Sequence, residues 1–180
     1  TKSGYQLIKY ADKSFSIVSS YLSGNNYASK TGLAADSQKN IYLLAADNEG
    51  SDSYDLNLSK YDSQKGSFAK MASTIATGYS ATSTSLCALG IDKNDVIYAA
   101  YSKKTGDDQS PYLASIDPET KDWTAWTAID PGNTVKGDMV MTFSADGTVG
   151  YLAYVRNAAG EAPATLVVYR CSLEEDILPE

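Results

Sequence analysis

The sequence predicts an all-β chain built from a four-stranded antiparallel unit repeated about every 53 residues. Three observations carry that expectation. One hairpin motif recurs three times, and a second recurs four times at the same spacing. No window sustains the 3.6-residue apolar period of an amphipathic helix. The chain has 180 residues, 43% of them hydrophobic, which is enough for a buried core and too apolar for wholesale disorder.

The first motif spans 33–45, 89–101 and 143–154. Each copy has small and apolar residues, an aspartate (Asp36, Asp92, Asp146), a polar turn, and a strand carrying Tyr42, Tyr98 or Tyr151. The aspartates lie 56 and 54 residues apart. A carboxylate recurring at one hairpin position predicts a side chain that caps turn N–H groups rather than a catalyst. By the same reasoning the tyrosines predict packing between units.

The second motif occupies 7–15, 58–68, 114–123 and 167–177, with a strand, a polar turn, and a large apolar residue opening the return strand. Its anchors Tyr10, Tyr61, Ile116 and Tyr169 are separated by 51, 55 and 53 residues. Asp117-Pro118 starts a turn in which proline supplies the fixed φ. Alternating the two hairpins yields a four-stranded unit, the size of one β-propeller blade. The tally is a β-propeller-type stack of about 3.5 blades: a half blade over 1–31, then blades over 32–85, 86–139 and 140–180. Three and a half blades cannot close a ring, and an open arc would expose apolar faces. The expectation is therefore missing blades from a longer parent chain, which the start at Thr1 without an initiator Met also suggests, or self-association of copies.

Residues Ser144, Asp146, Gly147 and Tyr151 resemble the strand-turn-strand of TolB-like propeller repeats. Asp36, Asn40, Ile41 and Tyr42, with Asp92, Val96, Ile97 and Tyr98, are similar to the hairpin of NHL-type blades. The resemblance runs over nearly the whole chain and implies the fold, with little about activity.

Composition excludes several chemistries. Histidine is absent, which removes histidine-based triads, general bases and HExxH zinc sites. A net charge of −7 and a pI near 4.6 argue against nucleic acid as a partner. No apolar run reaches the ~20 residues of a membrane-spanning helix. The acidic 47–55 segment lacks the alternating spacing of a calcium loop, so no metal and no cofactor are expected. Cys87 and Cys171 fall on non-equivalent strands and read as buried free thiols.

Loops within and between blades emerge on one face, the usual place for a ligand on a rigid sheet scaffold. The candidate ligand-binding residues there are Asn25, Asn26, Tyr27, Asp52, Tyr54, Tyr79, Asp107, Asp108, Arg156 and Asn157. Tyrosine and asparagine at a loop face suit stacking plus hydrogen bonding to a protein or carbohydrate. The leading expectation is a non-catalytic binding module of an extracytoplasmic or cell-surface protein. The competing one is part of a propeller enzyme, such as a glycosidase or lyase working with Asp107, Asp108 and Glu161.

Overall fold

A computed structural model describes residues 4–22, 31–50, 53–71, 76–80, 87–105, 108–116, 120–157 and 164–172. Among these the chain is all strand and turn, arranged as four antiparallel sheets. The first sheet is the hairpin β1 (Gly4–Ala11) and β2 (Ser14–Leu22). Its turn, Asp12 and Lys13, holds both residues at positive φ (51° and 60°), the backbone of a tight two-residue hairpin whose twist matches the strands.

The second sheet runs β3 (Gly32–Ala35), β4 (Ile41–Gly50), β5 (Ser53–Asp62) and β6 (Ser67–Lys70). Strand β7 (Ala76–Ser80) pairs with the far end of β5, so β6 and β7 share the outer edge. The third sheet runs β8 (Cys87–Ile91), β9 (Ile97–Thr105), β10 (Asp108–Ile116) and β11 (Trp123–Ala128). The fourth has β12 (Thr134–Phe143), β13 (Val149–Asn157) and β14 (Thr165–Ser172). The expected boundary at 139/140 falls inside β12.

Each strand alternates its side chains between two faces, and in the third sheet both faces are covered. Leu89, Ile97, Ala99, Tyr101, Ala114 and Ile116 pack against Tyr42, Leu44, Leu56 and Leu58 of the second sheet. The opposite face, with Ala88, Tyr98, Ala100 and Leu113, packs against Val135, Met139, Leu152 and Tyr154 of the fourth. The innermost strands β3, β8 and β12 lie side by side. A Cβ on Gly32 would stand 2.6 Å from that of Leu89, and one on Gly90 would stand 2.5 Å from the Phe143 ring. Glycine is what allows the sheets to approach this closely.

The turns between the inner strands form one rim. Asp36 accepts hydrogen bonds from the Asn40 amide (2.7 Å), the Asn40 side chain and the Tyr42 hydroxyl (2.9 Å). Asp92 does the same work, accepting from the amides of Asn94 (2.8 Å) and Val96 (2.9 Å) and from the Tyr98 hydroxyl (3.4 Å). The fourth sheet corrects the repeat by two residues. Ser144, not Asp146, takes the turn-opening position, its hydroxyl oxygen accepting from the Val149 amide at 3.0 Å. Asp146 instead accepts from the Ser144 hydroxyl and the Thr148 amide, which holds its carboxyl down at about 2. The loop here is one residue longer, so counting from the aspartate misaligns it. Neighbouring turns also join: the Ser37 amide and hydroxyl donate to Asp95 at 2.8 and 2.7 Å.

Candidate functional site

The ends of β4, β9 and β13 mark the rim opposite those turns, where the candidate ligand-binding residues were expected. Asn25, Asn26, Tyr27, Asp52 and Asp107 lie outside the described residues, as does Glu161. Tyr54 and Tyr79 are not in loops: they are strand residues in direct register across β5 and β7. The expected 47–55 loop is likewise mostly ladder, with Asp47 opposite Asp55 and Asn48 opposite Tyr54. Its polar residues suggested a loop, but backbone pairing does not depend on side-chain polarity. Asp108 opens β10 opposite Thr105, and Asn157 closes β13 opposite Thr134. The structure thus brings strands from three sheets to one rim.

The surroundings of Arg156 form a built site. Residues Asp130-Pro131-Gly132-Asn133 make a turn in which the Asn133 amide donates to the Asp130 carbonyl (3.4 Å) and Gly132 sits at φ +78°. Proline at the second position and glycine at the third are what such a turn requires. The turn aims the Asp130 carboxylate, 7% exposed, at the last residues of β13. There Oδ2 accepts from the Tyr154 hydroxyl at 2.8 Å and from Nη1 of Arg156 at 2.9 Å, while Oδ1 accepts from the Asn133 side chain at 2.8 Å.

Burial opposes ionisation of Asp130, but the hydrogen bonds from Arg156, Tyr154 and Asn133 outweigh it and hold the carboxyl below its ordinary range. Burial and the bond to Asp130 push the Tyr154 phenol well up. The same carboxylate raises the Arg156 guanidinium, first through its hydrogen bond. All three groups therefore keep fixed charge states at neutral pH. Tyr154 lies flat against Tyr169, with centroids 6.0 Å apart and planes 6° from parallel. Arg156 keeps a third of its side chain exposed. A guanidinium carries five N–H donors, and the bond to Asp130 uses one of them. The result is a cation locked in orientation beside stacked aromatic rings, able to donate to a partner's oxygens.

The sequence reading named Arg156 but missed its supports. Asp-Pro-Gly-Asn was a legible turn signal; what could not be read was that the turn meets the end of β13.

A second concavity of about 470 Å³ lies on the opposite rim, between β3, β8 and β12, with Leu33, Gly90, Asp92, Lys93, Phe143 and Gly147 in its lining. None of the candidate residues among the described ones lines it. The Asp92 carboxylate there is committed to its own turn. No group of three or more His, Cys, Asp or Glu residues able to hold a metal ion occurs among the described residues. No helix there is long and apolar enough to cross a membrane. Both cysteines are free thiols, Cys87 buried and Cys171 half-buried.

No protein-family model matches the chain, and neither does any curated protein. Among solved structures it is similar to a fucose lectin from Kordia zhangzhouensis in complex with methyl-fucoside. The TM-score is 0.52 at 14% identity, over 78% of this chain and 92% of the lectin. An endo-1,4-beta-xylanase from Bacteroides thetaiotaomicron overlaps at a TM-score of 0.46 and 13% identity, over 93% of this chain and 69% of the enzyme. At such identity the likeness to the lectin concerns the arrangement of strands alone.

Proposed function

We propose that this chain is a non-catalytic, propeller-type binding module that recognises carbohydrate through the rim carrying Arg156, as part of an extracytoplasmic or cell-surface protein. The observation that carries the reading is the Arg156 guanidinium held at 2.9 Å by a buried carboxylate, which Tyr154 and Asn133 also fix. Sugar hydroxyls and ring oxygens accept hydrogen bonds, and a donor already held in place loses less entropy on binding. The strand arrangement shared with a fucose lectin supports the same reading. The enzyme alternative needs Asp107, Asp108 and Glu161 to act together, and two of these three lie outside the described residues.

The test is calorimetric titration with methyl-fucoside and a panel of other monosaccharide glycosides, followed by a glycan array. Binding of at least one glycan is expected, weakened tenfold or more by Arg156→Ala and less by Arg156→Lys, which keeps the charge. A panel and array that both come back empty would overturn the proposal. So would binding that is indifferent to Arg156→Ala.

A further inference from the structure

The strand registers define equivalent positions from sheet to sheet. Leu44 pairs with Leu58, Ala100 with Leu113 and Ala153 with Val168. Position by position, Leu58, Leu113 and Val168 face the next sheet in the series. The first two are buried, at 0% and 3%, while Val168 is 61% exposed. Tyr42, Tyr98 and Tyr151 repeat the pattern, as do Leu56, Pro111 and Leu166. The forward face of the fourth sheet therefore carries the residues of an inter-sheet core, with no sheet upon it among the described residues.

The other end of the series has the converse face. Tyr10 pairs with Phe15 at the hairpin position where Tyr61 pairs with Phe68 and Ile116 with Trp123. In the third sheet these residues face backward: Ile116 is fully buried against the second sheet and Trp123 packs beside it. In the first sheet the same face, with Ile8, Tyr10, Phe15 and Ile17, is 53–77% exposed. A forward face wants a backward face, and both sit unmatched on one molecule. Packed forward-to-backward pairs already exist twice within the chain, so a third would continue an interface that the sequence is built to make.

We infer that a second copy of this chain docks head to tail, the backward face of its first sheet lying on the forward face of the fourth sheet of its neighbour. The two patches are different surfaces, so the contact is heterologous and generates a ring if the rotation closes or a filament if it does not. The inference is independent of the carbohydrate reading, since it uses none of the Arg156 site.

Sedimentation velocity and light scattering on the 180-residue chain test it directly. A mass that is a multiple of 19.3 kDa and rises with concentration is expected. Leu166→Asp with Val168→Asp breaks the forward face, and Phe15→Asp with Ile17→Asp breaks the backward face. Each double variant is expected to run as a monomer with its β-sheet circular dichroism intact. Mixed together they recover one intact contact, so a pair and nothing larger should form. A wild-type chain that stays monomeric at every concentration overturns the proposal whatever the variants do. Variants that still assemble, or a mixture that stays monomeric while wild type assembles, also overturn it. Should either aspartate pair lose the sheet signal, Val168→Ser and Phe15→Ser give the same reading at lower cost to folding.

Discussion

The third and fourth sheets have the same topology over three strands and the same kind of side chains, yet they live in different surroundings. The third is enclosed on both faces. The fourth is covered on one face and leaves Val140, Tyr151, Leu166 and Val168 in water on the other. The residues at matched positions are alike, so the difference lies in the neighbours. An apolar side chain stabilises a sheet only to the extent that something removes it from solvent. At the rim of the fourth sheet the turn at 130–133 and the end of β13 are joined through one carboxylate.

The comparison can be broken most forcefully at Leu113 and Val168. Leu113→Ala empties space between two sheets and should cost about 2–4 kcal/mol of unfolding free energy. Val168→Ala in dilute monomer should stay within about 0.5 kcal/mol. Urea unfolding of both variants decides it, and equal losses would mean that the forward face of the fourth sheet is covered.

Asp130→Ala ranks next. It removes the carboxylate that the buried Tyr154 hydroxyl and Arg156 both donate to, and losing such a partner in a site where Tyr154 is 1% exposed costs roughly 1–3 kcal/mol. The pH dependence follows from the direction of the shift. Because folding lowers the Asp130 carboxyl, its contribution is complete above the unfolded value near ~3.9 and is lost as pH falls through the lower folded value. The stability advantage of wild type over Asp130→Ala should therefore shrink as pH falls through that window, and acid titrations of the two proteins side by side check it.

At the alkaline end Tyr98 of the third sheet gives the readout. Burial, with the Asp92 charge and hydrogen bond, pushes the Tyr98 phenol up to about 12. A raised phenol keeps its stabilising contribution below the unfolded value near ~10 and loses it as pH climbs through the folded one. Ultraviolet titration should show Tyr98 ionising late, and Tyr98→Phe should flatten the loss of stability over that window. The smallest effect concerns the thiols. Burial pushes Cys87 in the third sheet up to about 12, while Cys171 in the fourth is raised but half-buried. Maleimide labelling of the native chain should modify Cys171 well before Cys87, with Cys87 reacting only on unfolding.

Much of the fold was legible because a repeat states its own pattern several times. Asp36 and Asp92 announced their turns, and the alternation of two hairpin types announced the sheets. Legibility failed where one copy departed from the pattern. Ser144 replaced the aspartate as turn opener, and β14 shifted by two residues so that Val168 rather than Leu166 matches Leu113. It failed again where polar composition hid a ladder, as at 47–50. At the candidate site Arg156 was readable as a cation in a loop-rich region, but the carboxylate that holds it, Asp130, stands 26 residues away.

By itself the sequence determined the all-strand character, the hairpin order and the turns at Asp36 and Asp92, because these depend on side-chain alternation and on residues within a few positions of one another. Only the tertiary structure decided which faces are buried and which carboxylate holds Arg156. Those depend on distances between residues far apart in the chain, and identical local patterns can end in a core or in water. The repeat made Leu113 and Val168 equivalents, and the presence of a neighbouring sheet made one of them core and left the other exposed.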